Sequence, residues 1–170
     1  MSTLRVDNIQ DQGGAERRGL KTYAIICDKK AYNVDGGTFT SGAWRTRDLN
    51  HEIADPDGIV SIASNQFTLG AGDYLIEASV PAYKINRHIT RLQDITAGTT
   101  VKHGSTEYTY SGDNVLTRSV LLARVSLTGS TTFEIQHRSQ NSYSTNGMGI
   151  NSSFTGTDSI YTIVKIFKEA

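Results

Sequence analysis

The chain contains one cysteine, two prolines and no apolar run approaching the ~20 residues that a membrane-crossing helix needs. The lone Cys27 excludes an intrachain disulfide framework, so the fold must rest on an ordinary hydrophobic core. Its setting, Tyr23-Ala24-Ile25-Ile26-Cys27, reads as a buried strand in which the thiol acts as a small hydrophobe. Charge of one sign is also lacking, because 17 basic residues balance 17 acidic ones. No overall field gathers nucleic acid or an anionic membrane, and a neutral surface gives little protection against association. No apolar stretch of signal-peptide length opens the sequence, so the expected product is cytoplasmic and leaves a cell by lysis or within a particle. Helical periodicity is missing too: no window sustains apolar residues at i, i+3, i+4 and i+7.

What is present is β grammar. A 170-residue chain fits one domain burying roughly 70% of its unfolded surface. Candidate strands fall at 20–28, 36–40, 43–49, 58–63, 65–70, 73–82, 84–95, 105–110, 115–127, 131–139, 147–154 and 159–168. Turn chemistry separates them, as in Val34-Asp35-Gly36-Gly37, Asp55-Pro56-Asp57-Gly58 and Ser111-Gly112-Asp113-Asn114. Many short, punctuated strands predict a β-sandwich or barrel. Residues 65–78 read as a hairpin turned by Gly70 and Gly72, both expected at positive φ. Residues 1–19 differ: Leu4, Val6 and Ile9 are the only large apolar side chains before a polar, glycine-containing linker. They are expected to form an anchor ahead of the domain at 20–170.

Some strands are apolar on both faces. Val120 and Leu122 oppose Leu121, Ala123 and Val125, while Tyr161, Ile163 and Phe167 oppose Ile160, Val164 and Ile166. Leu75 likewise points outward among Asp73, Glu77 and Ser79. A sandwich strand normally keeps one face wet, so the outer face is expected to meet another subunit. The expected interface residues are Leu75, Val120, Leu122, Tyr161, Ile163 and Phe167.

Catalytic patterns are sparse. The nucleophile elbow G-x-S-x-G is absent, and His51, His88, His103 and His137 form no metal-binding spacing. His137 is expected in the core. Glu77, Glu107 and Glu134 are the carboxylates that would have to converge for glycoside cleavage. Arginines recur at 45, 47, 87, 91, 118, 124 and 138, and charged contacts with Asp48, Asp94 or Glu134 are expected of them. No catalytic residue, metal or cofactor is assigned. Loops 96–114 and 139–158 are rich in Ser, Thr, Asn and Gly, and Tyr108, Tyr110 and Tyr143 in them suit contact with a glycan or protein.

Several segments carry a resemblance: 37–50, 66–74, 80–88, 117–119, 132–138, 161–169 and the opening 1–10. They resemble a domain of bacteriophage tail-fibre and appendage proteins, and the opening resembles short structural proteins of phages of aquatic bacteria. That family is similar to the tumour-necrosis-factor and complement-globular-head jelly rolls. The resemblance implies an all-β jelly-roll sandwich, assembled as a three-fold homotrimer and without enzymatic activity. It implies a virion protein, a tail fibre or receptor-binding tip that attaches to the host; the alternative is a capsid decoration or head-fibre protein. Its expected partners are two further copies, other virion proteins through Leu4, Val6 and Ile9, and a host surface glycan or protein. Neither nucleic acid nor membrane insertion is expected.

Overall fold

The computed structural model describes residues 22–169, so the anchor expected at 1–19, with Leu4, Val6 and Ile9, lies outside the described residues. Among the described residues there is no helix; eleven strands build two antiparallel sheets. They are β1 (Tyr23–Lys30), β2 (Arg45–Thr46), β3 (His51–Ala54), β4 (Val60–Ala63), β5 (Gln66–Leu69), β6 (Gly72–Tyr83), β7 (Asn86–Asp94), β8 (Thr99–Thr109), β9 (Leu116–Leu127), β10 (Thr131–Ser139) and β11 (Ser159–Lys168). The first sheet runs β3-β1-β11-β6-β9, the second β4-β5-β10-β7-β8, with β2 paired to β10.

The core lies between the sheets and follows from strand alternation. Along β9, Leu121, Ala123 and Val125 face inward; along β10, Phe133 and Ile135 do the same. Ile26, Ile76, Val164 and Ile166 of the first sheet meet Phe67, Leu69 and Leu92 of the second. The Phe67 and Phe133 rings stack with centroids 5.6 Å apart. Each fully buried side chain of this size contributes about 1.5–3 kcal/mol of transfer free energy. At one edge β8 and β9 close the sandwich: Ser119 Oγ donates to the Ser105 carbonyl (2.7 Å), and the Val120 amide donates to Ser105 Oγ (2.9 Å). Glycine is required here, since a Cβ on Gly104 would lie 2.8 Å from the Val120 carbonyl oxygen.

Three strand expectations are corrected. Residues 65–78 are not a hairpin, because β5 pairs with β4 and β10 while β6 pairs with β11 and β9. The glycine turn instead carries the chain from one sheet to the other. Only Gly72 there has positive φ (142°). The true two-residue hairpin lies just upstream, where Ala63 pairs with Gln66 across Ser64 (φ 53°) and Asn65 (φ 63°). Second, 36–40 and 147–154 contain no strand, only an isolated bridge from Phe39 to Tyr143. Phe39 packs there with Ala82 and Ile85 in a small second core. Third, the strand expected at 105–110 starts earlier, at Thr99, and so takes up most of the expected loop at 96–114, and β3 at His51–Ala54 was not expected.

Candidate functional site

Register places the outer face of the first sheet in rows. Tyr23, Phe167, Leu75 and Arg124 lie side by side; then Ile25, Lys165, Glu77 and Leu122; then Cys27, Ile163, Ser79 and Val120. Leu122 is 58% exposed, and Leu75 and Val120 are each 42% exposed. Ile163 and Phe167 are half-buried. Three ion pairs punctuate the face: Lys165 Nζ to Glu77 Oε1 (3.1 Å), and Arg124 to both Glu169 (2.8 Å) and Asp73 (3.5 Å). Exposed Leu116, Ile150 and Ile160 continue the apolar surface at one end, around a cavity of about 170 Å³.

Tyr161 does not belong to that exposed set. It is buried beneath its own chain, with Oη donating to the Val34 carbonyl (2.7 Å) and Gly149 packed so tightly that a Cβ would meet the ring. The Arg118 guanidinium fills the space beside it, donating to Ser79 Oγ (2.7 Å) and to the Tyr161 carbonyl. Tyr143 is also not a free contact residue. It packs edge-on against Tyr83 (5.8 Å) beside the second core. Tyr108 and Tyr110 are half exposed, the first on β8 opposite Arg87.

The outer face of the second sheet has different chemistry. Glu134 accepts from Thr46 (2.9 Å), Gln66 (2.8 Å) and Gln136 (2.7 Å). Desolvation works against its charge, yet these hydrogen bonds hold its carboxyl below the usual carboxylate range. Arg91 donates to Gln136 Oε1 (2.6 Å) and Thr100 Oγ1 (2.8 Å), and its guanidinium lies 4.4 Å from the centre of the Trp44 indole. His103 flanks the same indole at 5.8 Å. Next to them a groove of about 480 Å³ opens between Ser41, Arg87, Ile89, Thr106, Arg138 and Gln140. Of the expected arginine contacts, the Glu134 charge acts on Arg91 and the Asp48 charge on Arg47, while Asp48 itself pairs with Lys30 and, among the described residues, no arginine forms a salt bridge with Asp94.

A buried polar cluster sits inside the sandwich, with His88 and His137 both almost fully covered. His88 Nδ1 and His137 Nε2 are 2.9 Å apart, and His88 Nε2 reaches Thr117 Oγ1 (2.8 Å). His137 is core, as expected of it, with the Phe39 ring edge-on at 4.8 Å. Its partner was not foreseen, because His88 is 49 positions away. Arg47 is fully buried, donating to Thr162 Oγ1 (3.0 Å) and the Met148 carbonyl (2.6 Å). Burial lowers its pKa to about 10. Burial, and then the Arg47 charge, lowers the His88 pKa to about 4 and pushes His137 down as well. Both imidazoles are therefore neutral at pH 7.

Three solved structures carry the same architecture. Eiger TNF from S. frugiperda aligns with TM-score 0.59 at 11% identity, covering 89% of this chain and 94% of that one. Murine APRIL at pH 5.0 gives 0.54 at 8% identity, over 86% and 99%. The globular domain of zebrafish complement 1qA gives 0.50 at 13% identity, over 88% and 98%. The chain shares their jelly-roll fold. No family model matches it, and no curated protein does. At such identities the likeness concerns backbone architecture and transfers no residue role.

Proposed function

We propose that the protein is a homotrimeric structural component of a bacteriophage particle, a short tail fibre or receptor-binding tip that attaches to the host without catalysis. The observation that carries assembly is the outer face of the first sheet. Leu75, Val120 and Leu122 stand exposed beside half-buried Ile163 and Phe167, in a domain with ample interior of its own. Covering such neighbouring side chains adds stabilisation of about 1 kcal/mol each, and a stable interface needs about 1,000 Å² or more. Trimers are the assembly implied by the tumour-necrosis-factor and complement-globular-head resemblance. The phage assignment is supported by the sequence resemblance at 37–50, 66–74, 80–88 and 161–169.

Light scattering should give a solution mass about three times 18.6 kDa; a stable monomer refutes the assembly. Purified protein should block adsorption of the parent phage to its host. Gold label on intact particles should mark the tail tip, and label over the shell would assign capsid decoration instead.

A further inference from the structure

We infer that the groove on the outer face of the second sheet is a binding site for an acidic saccharide, one whose rings carry carboxylate or sulfate groups. The inference rests on the attachment reading only for the source of that saccharide, the host surface; the chemistry is the groove's own. Arg87 and Arg138 project from adjacent strands into one face, because Ile89 pairs with Arg138 and Arg87 follows two positions on. Among the described residues no carboxylate lies within ion-pair reach of either, and Arg87 touches only the Gln140 side chain (3.2 Å). A third guanidinium, Arg91, is held by neutral Gln136 and Thr100. The Glu134 carboxylate acts on Arg91, which leaves Arg87 and Arg138 as two cations without counter-charges on a chain whose net charge is zero. They favour an anionic guest, and the guanidinium fork matches the two oxygens of a carboxylate or sulfate.

The walls favour a saccharide over other anions. Arg45 pairs with His137, so Trp44 falls beside Arg138, one of the groove's lining residues. Its indole, the only one in the chain, is held by the Arg91 guanidinium and His103. A fixed aromatic face packs on the apolar side of a sugar ring. The Ser41 and Thr106 hydroxyls and the Gln140 amide offer paired donors and acceptors to sugar hydroxyls. A volume of about 480 Å³ suits one or two rings. Nucleic acid fits less well, since a backbone-tracking site needs a charged track with several stacking platforms.

The test applies the full-length protein to a printed array of carboxylate-bearing, sulfated and neutral oligosaccharides, with a double-stranded DNA oligomer measured alongside in solution. Retention should be confined to acidic spots, and titration of a retained oligosaccharide should shift the Trp44 fluorescence. Arg138→Glu and Arg87→Ala, both at exposed positions, should each weaken that titration at least tenfold while melting temperature and solution mass stay unchanged. No retained spot, neutral spots retained equally, or full binding by Arg138→Glu overturns the assignment. So does tighter binding of DNA than of any saccharide. Persistent host adsorption by Arg138→Glu would overturn the groove's role yet leave attachment standing, whereas lost adsorption by a protein with intact saccharide binding would do the reverse.

Discussion

The outer faces of the two sheets are built by the same alternation of side chains and differ in almost everything else. On the first, Leu75, Leu122, Val120, Ile163 and Phe167 form an apolar field, and its exposed cations have carboxylates: Lys165 has Glu77, and Arg124 has Glu169 and Asp73, while half-buried Arg118 donates to Ser79 and the Tyr161 carbonyl. On the second, Arg87 has the Gln140 amide as its neighbour, Arg87 and Arg138 have no carboxylate within ion-pair reach among the described residues, and Arg91, with the Glu134 charge acting on it, lies over a single indole. An apolar face with its charges already neutralised suits a surface made to be covered by a copy of itself. A polar face with uncompensated cations suits something that is not a copy. Both surfaces share one core, so each can be altered without the other.

The largest effect should come from giving the first face the chemistry it avoids. Leu122→Glu places an unpaired carboxylate at its most exposed apolar position and should raise the dissociation constant of the assembly about a hundredfold or more. Sedimentation would read this as monomer, and an unchanged mass would remove the face from the interface. Next, Phe133→Ala under both faces should cost about 3–5 kcal/mol in denaturant unfolding, through lost burial and lost stacking on Phe67. The surviving folded fraction should still assemble.

Acid should act from the inside, on neither face. An unfolded imidazole titrates near 6.5, whereas folded His88 holds off its proton until about 4. Between those values the unfolded chain binds a proton that the native chain refuses. Stability is thus complete above pH 6.5, falls as pH drops toward 4, and loses about 3 kcal/mol from His88 over that window. His137 adds to the loss in the same direction. Denaturant midpoints at pH 7.5 and 4.5 would check this, and equal midpoints would contradict neutral burial of the pair. The smallest effect belongs to the rim of the first face. Arg124→Ala removes a solvent-screened ion pair and should move the melting temperature by less than about 2 °C.

Strand alternation was legible wherever one face was forced inward. The inward Leu121, Ala123 and Val125 and outward Val120 and Leu122 of β9 could be read from period two alone. Gly70-Ala71-Gly72 could not be resolved that way, because turn chemistry reports that the chain reverses, not which sheet receives it. Ser64-Asn65 escaped notice as a hairpin because neither residue is glycine, though asparagine tolerates the left-handed region. Tyr161, expected on the interface face, is instead covered, because Val34 and Gly149 reach it from remote segments. The second face was least legible. Trp44, Arg91, His103 and Arg138 come from β7, β8, β10 and the residue before β2, and only the pairing of those strands assembles them.

β11 lies at the centre of the first sheet, between β1 and β6, and no strand of that sheet sits beside its neighbour in sequence. β11 also carries Ile163 and Phe167, two of the five apolar residues on the face proposed for assembly. A chain still emerging from the ribosome has β1, β6 and β9 but nothing to hold β1 against β6. The face proposed for assembly is therefore complete only once β11 has joined β1 to β6, and a chain lacking β11 would present only part of it.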